Sequence, residues 1–165
     1  MRLLLLLSCL FLLPSCIKEN MKADLKPGDA LPDFEVVMND GTAVSDDDLK
    51  GSVSVVMFFH TTCPDCQQAL PRMSRIYDEY LGKGVVFALV SREQAEEDIR
   101  PYWEANGFEM PYSAQNDRYV YEKFAKTRIP RIYVNDRNGI IRHIFTDDPV
   151  PSYDDIKSSI DGLIR

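Results

Sequence analysis

The chain has 165 residues, with 19 Lys and Arg against 26 Asp and Glu, which gives a formal charge of −7 at pH 7. This acidic balance argues against nucleic acid as a partner, because phosphate binding relies on clustered basic side chains. It argues equally against a polybasic attachment to anionic lipid. The length suits one domain with one substantial core.

The first residues predict an export signal. A short positive start precedes an apolar run from Leu3 to Leu13, which is too short for a membrane-spanning helix of about 20 residues. The run ends in Leu13-Pro14-Ser15-Cys16, which resembles the lipobox of bacterial lipoproteins. We therefore predict a signal peptide over residues 1–15 and lipidation at Cys16. The alternative is an ordinary cleaved signal followed by an unrelated cysteine.

The region after the signal predicts a tether and then a domain. Residues 16–27 are polar and charged without periodicity, and we expect a flexible tether there. Residues 28–165 are expected to form the folded domain. Because the chain is acidic overall, any membrane attachment would depend on acyl chains. The expected location is the periplasmic side of the cell envelope, with a lipid anchor in a membrane.

The first half of the domain predicts a hairpin, a strand and a helix. The turn Asn39-Asp40-Gly41 lies between two short predicted strands, and a capped helical turn is expected over 45–51. The run Val53–Phe59 is continuously apolar, as in a strand buried on both faces. Apolar residues then recur every three or four positions, which predicts a helix that ends at Gly82: Cys66, Leu70, Met73, Tyr77 and Leu81.

The second half predicts further alternation of strands and helices. A strand is expected over 85–90, a helix over 93–106 and a short helix over 117–125. A hairpin over 132–145 and a last helix over 152–164 complete the domain. This order predicts an α/β fold, with a central mixed β-sheet flanked by helices and an N-terminal β-hairpin extension.

The four cysteines point to redox chemistry. Cys9 belongs to the predicted signal and Cys16 is the predicted lipid site, which leaves Cys63 and Cys66 as one close pair in an oxidising compartment. At the start of a helix, unsatisfied N–H groups and the macrodipole stabilise an anion. Cys63 is therefore the predicted nucleophile, and Cys66 would resolve the mixed disulfide. Pro64 suits the first helical turn.

The cysteine pair has three alternative interpretations. A structural zinc site needs four ligands, and only His60 and His143 could join the two cysteines. A structural disulfide across four residues would constrain little chain entropy. An accidental pair of buried thiols is the third alternative. We expect no metal and no dissociable cofactor.

Residues 28–165 resemble a thioredoxin-like domain of the TlpA/ResA-like, membrane-anchored thiol–disulfide oxidoreductases. The matching stretches are Pro32-Asp33-Phe34, Asn39-Asp40-Gly41, Leu49-Lys50-Gly51, Cys63-Pro64-Asp65-Cys66, Pro71 and Arg128-Ile129-Pro130. The resemblance implies a cis peptide bond before Pro130, packed against the cysteine pair. It also implies that Ile129 offers backbone groups to an extended substrate segment.

Two departures from the family pattern concern the proton acceptor for Cys66. Where many relatives carry an acidic residue after the second cysteine, this chain has Ala69, and Met57 takes the place of the buried aspartate of thioredoxins. A water, His60 or Asp65 remains as a proton acceptor for Cys66. Asp65 lies between the cysteines and opposes thiolate formation by charge repulsion. We therefore predict a moderately reducing protein.

The predicted activity is reduction or exchange of protein disulfides. By resemblance, the partners are exported protein disulfides, apocytochrome c among them, and a membrane thiol–disulfide electron donor. One rival is a peroxiredoxin-like peroxidase, although that branch has a threonine where this chain has His60. A rival of another class is a copper-carrying assembly factor that would use His143 with the cysteines. A non-catalytic interaction module is the third.

Overall fold

A computed structural model describes residues 24–165 of the chain. The predicted signal peptide, Cys16 and the tether up to residue 23 lie outside the described residues. The predicted end of the tether at residue 27 is wrong. Leu25 is buried in the core and its N–H donates to the Phe124 carbonyl at 2.9 Å, while Asp24 pairs with Arg131 at 3.0 Å. One apolar side chain in a polar stretch thus attaches this segment to the domain.

The hairpin extension forms as predicted. β1 (Glu35–Val37) and β2 (Ala43–Ser45) pair antiparallel in a separate two-stranded sheet. The single turn α1 (Asp46–Leu49) begins at Ser45 with a capping box. The Ser45 N–H donates to the Asp48 carboxylate at 2.9 Å, and the Ser45 hydroxyl accepts from the Asp48 N–H.

A four-stranded mixed sheet forms the centre of the domain. Its strands, in spatial order, are β4 (Val86–Ser91), β3 (Ser54–Phe59), β5 (Arg131–Asn135) and β6 (Ile141–Phe145). β3 runs parallel to β4 and antiparallel to β5, and β5 runs antiparallel to β6. Every residue of β3 is buried, which confirms the strand predicted from its apolar run.

Helices cover both faces of the sheet. They are α2 (Pro64–Tyr80), α3 (Glu96–Asn106), α4 (Tyr119–Glu122) and α5 (Tyr153–Ile164), with a short 3-10 turn at Leu81–Lys83. Phe58 points to the face where its ring meets that of Tyr121 at 5.3 Å. The next residue, Phe59, points to the other face and packs on Trp103 at 5.0 Å. The predicted α/β fold is confirmed. Within residues 24–165, no helix has the length and apolar content that crossing a membrane requires.

Helix ends differ from the predictions. The chain continues past α2 as the 3-10 turn, so the residue in the left-handed region is Gly84, at φ 76°, and not Gly82. Leu81 is 55% exposed, whereas Tyr80 is buried in its place. α3 begins three residues later than predicted, and α4 is a single turn. Periodicity alone could not separate Tyr80 from Leu81, because both are large and adjacent.

Candidate active site

The cysteine pair lies where β3 gives way to α2. Cys63 is the N-cap of α2, with φ −78° and ψ 120°, and Pro64 opens the first turn. The Cys63 N–H donates to the His60 carbonyl at 3.1 Å, and its carbonyl accepts from the Gln67 N–H at 2.9 Å. Both cysteines are free thiols; Cys63 is half-buried and Cys66 is fully buried. The sulfur that the sequence predicts as nucleophile is thus the more accessible one.

Cys63 meets a backbone segment 66 residues away in sequence. Its thiol donates to the Ile129 carbonyl, with the sulfur 3.6 Å from the oxygen. The Ile129–Pro130 peptide bond is cis, as the resemblance implied. The antiparallel pairing of Phe58 with Arg131 brings this segment to the end of β3. The structure therefore joins Cys63, Ile129 and Pro130 in one place.

Cys66 lies in apolar surroundings. Burial raises the pKa of its thiol far above the ordinary range, and the Cys63 side chain acts in the same direction. Met57 and Ala69, at which the sequence departs from the family pattern that it resembles, are both fully buried. A backbone hydrogen bond with His60 opposes the rise of this pKa, and the positive charge of Arg92 does so more weakly. In the resting dithiol, Cys66 therefore keeps its proton.

His60 stabilises the turn before the cysteines. Its Nδ1 accepts from the Thr62 N–H at 3.3 Å and lies 3.0 Å from the Thr62 hydroxyl. Burial lowers the pKa of His60, and the charge of Arg92 lowers it further. Since Nδ1 is engaged by Thr62, we assign the neutral ring a proton on Nε2. The ring nitrogen able to accept a proton is thus already hydrogen-bonded.

A buried polar network fixes the same turn. The Gln94 side chain accepts from the Thr61 N–H at 2.8 Å and donates to the Thr61 hydroxyl at 2.5 Å. Gln67 donates to the Thr61 carbonyl at 2.8 Å, and Ser91 donates to the Gln94 carbonyl at 2.9 Å. Gln94 and Thr61 are each 4% exposed. No sequence pattern predicted this network. The signal available was the polar run after β4, because the end of β4 lies beside that of parallel β3.

The remaining predicted residues lie at two different places. Asp65 is half-buried on the first turn of α2, where Gln68 donates to its carboxylate at 3.4 Å. His143 lies on β6, stacked with Phe145. His143 pairs with Val134, and Val134 pairs with Val55. Val55 lies four residues before Phe59, the last residue of β3. At about 3.3 Å per residue, His143 is roughly 13 Å along the strands from that end.

His143 is therefore far from Cys63 and Cys66. The copper-carrier alternative requires these three side chains to lie together, so the structure does not support it. Among residues 24–165, no group of three or more His, Cys, Asp or Glu side chains is arranged to hold a metal ion.

The chain is similar to known thiol–disulfide oxidoreductases. A profile of the AhpC/TSA family matches residues 27–144. The thiol–disulfide oxidoreductase ResA of Oceanobacillus iheyensis is 30% identical over 135 residues, which cover 78% of this chain and 70% of that protein. The thioredoxin-like protein YneN of Bacillus subtilis is 27% identical, over 73% of this chain and 71% of that protein.

Solved structures match the fold. The thioredoxin domain of a thiol–disulfide oxidoreductase from Bacteroides vulgatus aligns with a TM-score of 0.74 at 23% identity, over 86% of this chain and 100% of that chain. A thiol:disulfide interchange protein from Chlorobium tepidum aligns with a TM-score of 0.72 at 23% identity, over 87% and 100%. Fold and relatives together define a thioredoxin-fold thiol–disulfide oxidoreductase. The chain belongs to the AhpC/TSA family, as a TlpA/ResA-like member of the thioredoxin superfamily.

Proposed function

We propose that this protein reduces or exchanges disulfides of exported proteins in the cell envelope, with Cys63 as nucleophile and Cys66 as resolving thiol. The Cys63 thiolate attacks a substrate disulfide, forms a mixed disulfide and releases one substrate sulfur. Cys66 then attacks Cys63, forms the Cys63–Cys66 disulfide and releases the second substrate sulfur. Two electrons pass to the substrate, and the two thiol protons end on its two sulfurs.

The proposal depends above all on the contact between Cys63 and Ile129. A half-buried sulfur at a helix N-terminus, 3.6 Å from a backbone carbonyl, suits a substrate that lies extended across the Ile129–Pro130 segment. Such a substrate would exchange main-chain hydrogen bonds with Ile129, as in strand addition. Its disulfide would then lie against Cys63, while Cys66 stays buried behind it.

The sequence supports the proposed location, and the relatives support the proposed reaction. The signal-like segment and Cys16 support export and a lipid anchor on the periplasmic side of a membrane. The relatives named ResA support thiol–disulfide exchange as the reaction. A membrane protein with its own dithiol would return the Cys63–Cys66 disulfide to the reduced state. Exported proteins with unwanted disulfides, apocytochrome c among them, are the proposed substrates.

Trapping in the exporting cell tests the proposal. Cys66→Ser leaves Cys63 able to attack but removes the resolving thiol, so mixed disulfides with exported proteins should accumulate. Cys63→Ser is the matched control, because it has the same loss of one thiol and should trap nothing. An empty Cys66→Ser trap would contradict the function. Rapid consumption of hydrogen peroxide that depends on Cys63 would favour the peroxidase alternative instead.

A further inference from the structure

Arg131 is a buried cation next to the segment that contacts Cys63. It is the first residue of β5, and only 6% of its surface is exposed. Its Nε donates to the Tyr133 hydroxyl at 2.8 Å, and its Nη1 donates to the Thr127 carbonyl at 3.0 Å. The second bond spans the backbone on both sides of Ile129. One guanidinium group therefore holds the two ends of this short segment together.

Asp24 binds both Arg131 and the same segment. Its Oδ2 lies 3.0 Å from the Arg131 Nη1, and its Oδ1 accepts from the Lys126 N–H at 2.9 Å. The Asp24 side chain is 38% exposed, whereas that of Arg131 is 7% exposed. Hydrogen bonds between charged groups are stronger than those between neutral groups. The carboxylate therefore fixes the guanidinium group and the backbone at Lys126 in one arrangement.

A third contact supports the residue directly before Ile129. The buried Tyr121 side chain donates through its hydroxyl to the Arg128 carbonyl at 2.8 Å. Arg128 has a φ of 73°, in the left-handed region that is uncommon for residues other than glycine. Such a backbone conformation persists where the surrounding structure determines it. The contacts from Asp24, Arg131 and Tyr121 thus hold three consecutive residues before Ile129.

The backbone groups of Ile129 itself are less engaged than those of its neighbours. Its carbonyl accepts from the Cys63 thiol, which is a weak donor, with the sulfur 3.6 Å away. Its N–H donates to no group within the described residues 24–165. Backbone N–H groups in folded proteins are nearly always paired. An extended substrate segment would supply partners for both groups, as in strand addition.

We propose that Arg131 is a positioning residue for protein substrates, which acts by holding the Ile129 backbone where an extended disulfide segment pairs with it, and that Asp24 completes this support. The role rests on the proposed function and adds a class of substrate to it. A segment that is already ordered loses less entropy when it binds. Disulfides with an extended main chain beside them should therefore benefit, whereas small disulfides without a main chain should not.

A single exchange step in a Cys66→Ser chain isolates this effect. The substrate is a linear peptide whose cysteine is joined by a disulfide to a coloured aromatic thiol. The Cys63 thiolate attacks the peptide sulfur, and the bond between the peptide and aromatic sulfurs breaks. The aromatic group leaves as a coloured thiolate, because it is the better leaving group. A disulfide between Cys63 and the peptide remains, and the proton lost by Cys63 goes to solvent.

Stopped-flow kinetics compare this peptide with the symmetric disulfide of the same aromatic thiol, which has no main chain. The peptide yields a half-saturating concentration and a limiting rate, and the small disulfide yields a second-order rate constant. Arg131→Met removes the guanidinium group and retains an apolar stem, and Asp24→Ala removes the carboxylate. Arg137→Met is the matched control, beyond the other end of β5. Its guanidinium group also donates to backbone carbonyls, those of Leu163 at 3.1 Å and Ile164 at 3.4 Å.

We expect Arg131→Met to raise the half-saturating peptide concentration about tenfold, roughly the value of one hydrogen bond. The limiting rate and the rate constant with the small disulfide should stay close to those of the parent chain. Asp24→Ala should raise the peptide concentration about threefold, because water partly replaces an exposed carboxylate. The double variant should resemble Arg131→Met alone, because both residues act on the same backbone. Arg131→Lys retains the charge without the planar fork and should recover part of the loss.

Several results would overturn this role. They are equal slowing with both substrates, the same shift in Arg137→Met, an unchanged half-saturating concentration in Arg131→Met, and a double variant that shows the product of the single effects. If circular dichroism shows that Arg131→Met is unfolded, Asp24→Ala is judged by the same criteria. Parent chain that reacts equally with peptide and small disulfide would overturn the inference alone. Parent chain that releases no coloured thiolate from either substrate would contradict the exchange function itself.

Discussion

Two polar networks join distant parts of this domain, and they differ in burial and charge. At the redox end, the Gln94 amide holds Thr61 through neutral hydrogen bonds in the interior. On the helical face, Glu79 of α2 binds Lys157 of α5 at 2.5 Å and also contacts Tyr153, all partly exposed. The first network fixes a turn two residues before a reactive sulfur, whereas the second connects two helices.

The difference predicts opposite costs of disruption. A buried neutral group that loses its partner keeps the full desolvation penalty, because water cannot replace the partner. A half-exposed ion pair loses little, because each partner is readily solvated and screened. The redox turn should therefore be sensitive to single substitutions and the helix pair tolerant of them. The following predictions test that contrast, from the largest expected effect to the smallest.

Gln94→Met should produce the largest effect. It leaves the buried N–H and hydroxyl of Thr61 without partners, so we expect the free energy of unfolding to fall by about 2–4 kcal/mol. Exchange should also slow, because the turn before Cys63 loosens. Gln67→Met is the control: Gln67 is exposed and also binds Thr61, so water can replace it and the loss should stay below about 1 kcal/mol. Equal losses in urea titrations would contradict the contrast.

The buried Cys66 thiol should make stability depend on pH. Burial raises its folded-state pKa, so above the unfolded value of about 8.5 the unfolded chain has lost a proton that the folded chain retains. The contribution of Cys66 to the free energy of unfolding is complete below that pH, and it is lost as pH rises further, by about 1.4 kcal/mol per pH unit. Urea unfolding between about pH 8 and pH 9 measures the onset of this slope, about one unit below the ordinary tyrosine value of about 10.

Cys66→Ala supplies the control for this pH dependence. It should reduce the slope, while Cys63 and the tyrosines are common to both proteins and cancel from the comparison. A slope that is unchanged in Cys66→Ala would assign the pH dependence to another group.

The sequence predicted the parts of the site that local patterns encode. Cys63, Pro64 and Cys66 are adjacent in sequence and follow an apolar strand, and the structure places them at the end of β3 as expected. The family resemblance led to Pro130, which no periodicity could have found. These residues belong to strong local signals, in which burial and helix-start chemistry agree.

The residues that support the site could not be predicted in the same way. Gln94 and Arg92 lie in a loop after β4, where composition alone indicates only a polar turn. Their contacts with Thr61 and Phe59 depend on the parallel register of β3 and β4, which brings two strand ends together. Leu25 was missed for a related reason, because one apolar residue in a charged stretch has no period. The roles of these residues depend on contacts with residues that are distant in sequence.

Asp65→Asn tests the charge at the redox end. The carboxylate lies between the two cysteines and repels a thiolate there, so its removal should stabilise the reduced form and raise the disulfide potential by up to about 30 mV. Asp78→Asn, on an exposed position of the same helix, should leave the potential unchanged. Equilibration with glutathione measures both. A wild-type potential as high as about −120 mV would contradict the predicted reducing character.

Lys157→Met should have the smallest effect and thereby sharpen the contrast between the networks. Lys157 is partly exposed, and Glu79 would still keep Lys83 at 3.2 Å as a partner. The temperature of thermal unfolding should therefore shift by a few degrees at most, and the rate of disulfide exchange should be unchanged. Hydrogen bonds from Lys157 and Tyr153 lower the pKa of Glu79 to about 2. The contribution of this carboxylate is therefore complete above its unfolded value, near pH 4.5, and is lost as pH falls toward 2. Lys157→Met should weaken the loss of stability at acid pH, and it should leave unchanged the loss of stability at alkaline pH that comes from Cys66. Slower disulfide exchange in this variant would show that the pair of helices and the redox end are coupled, and would contradict the contrast between the two networks.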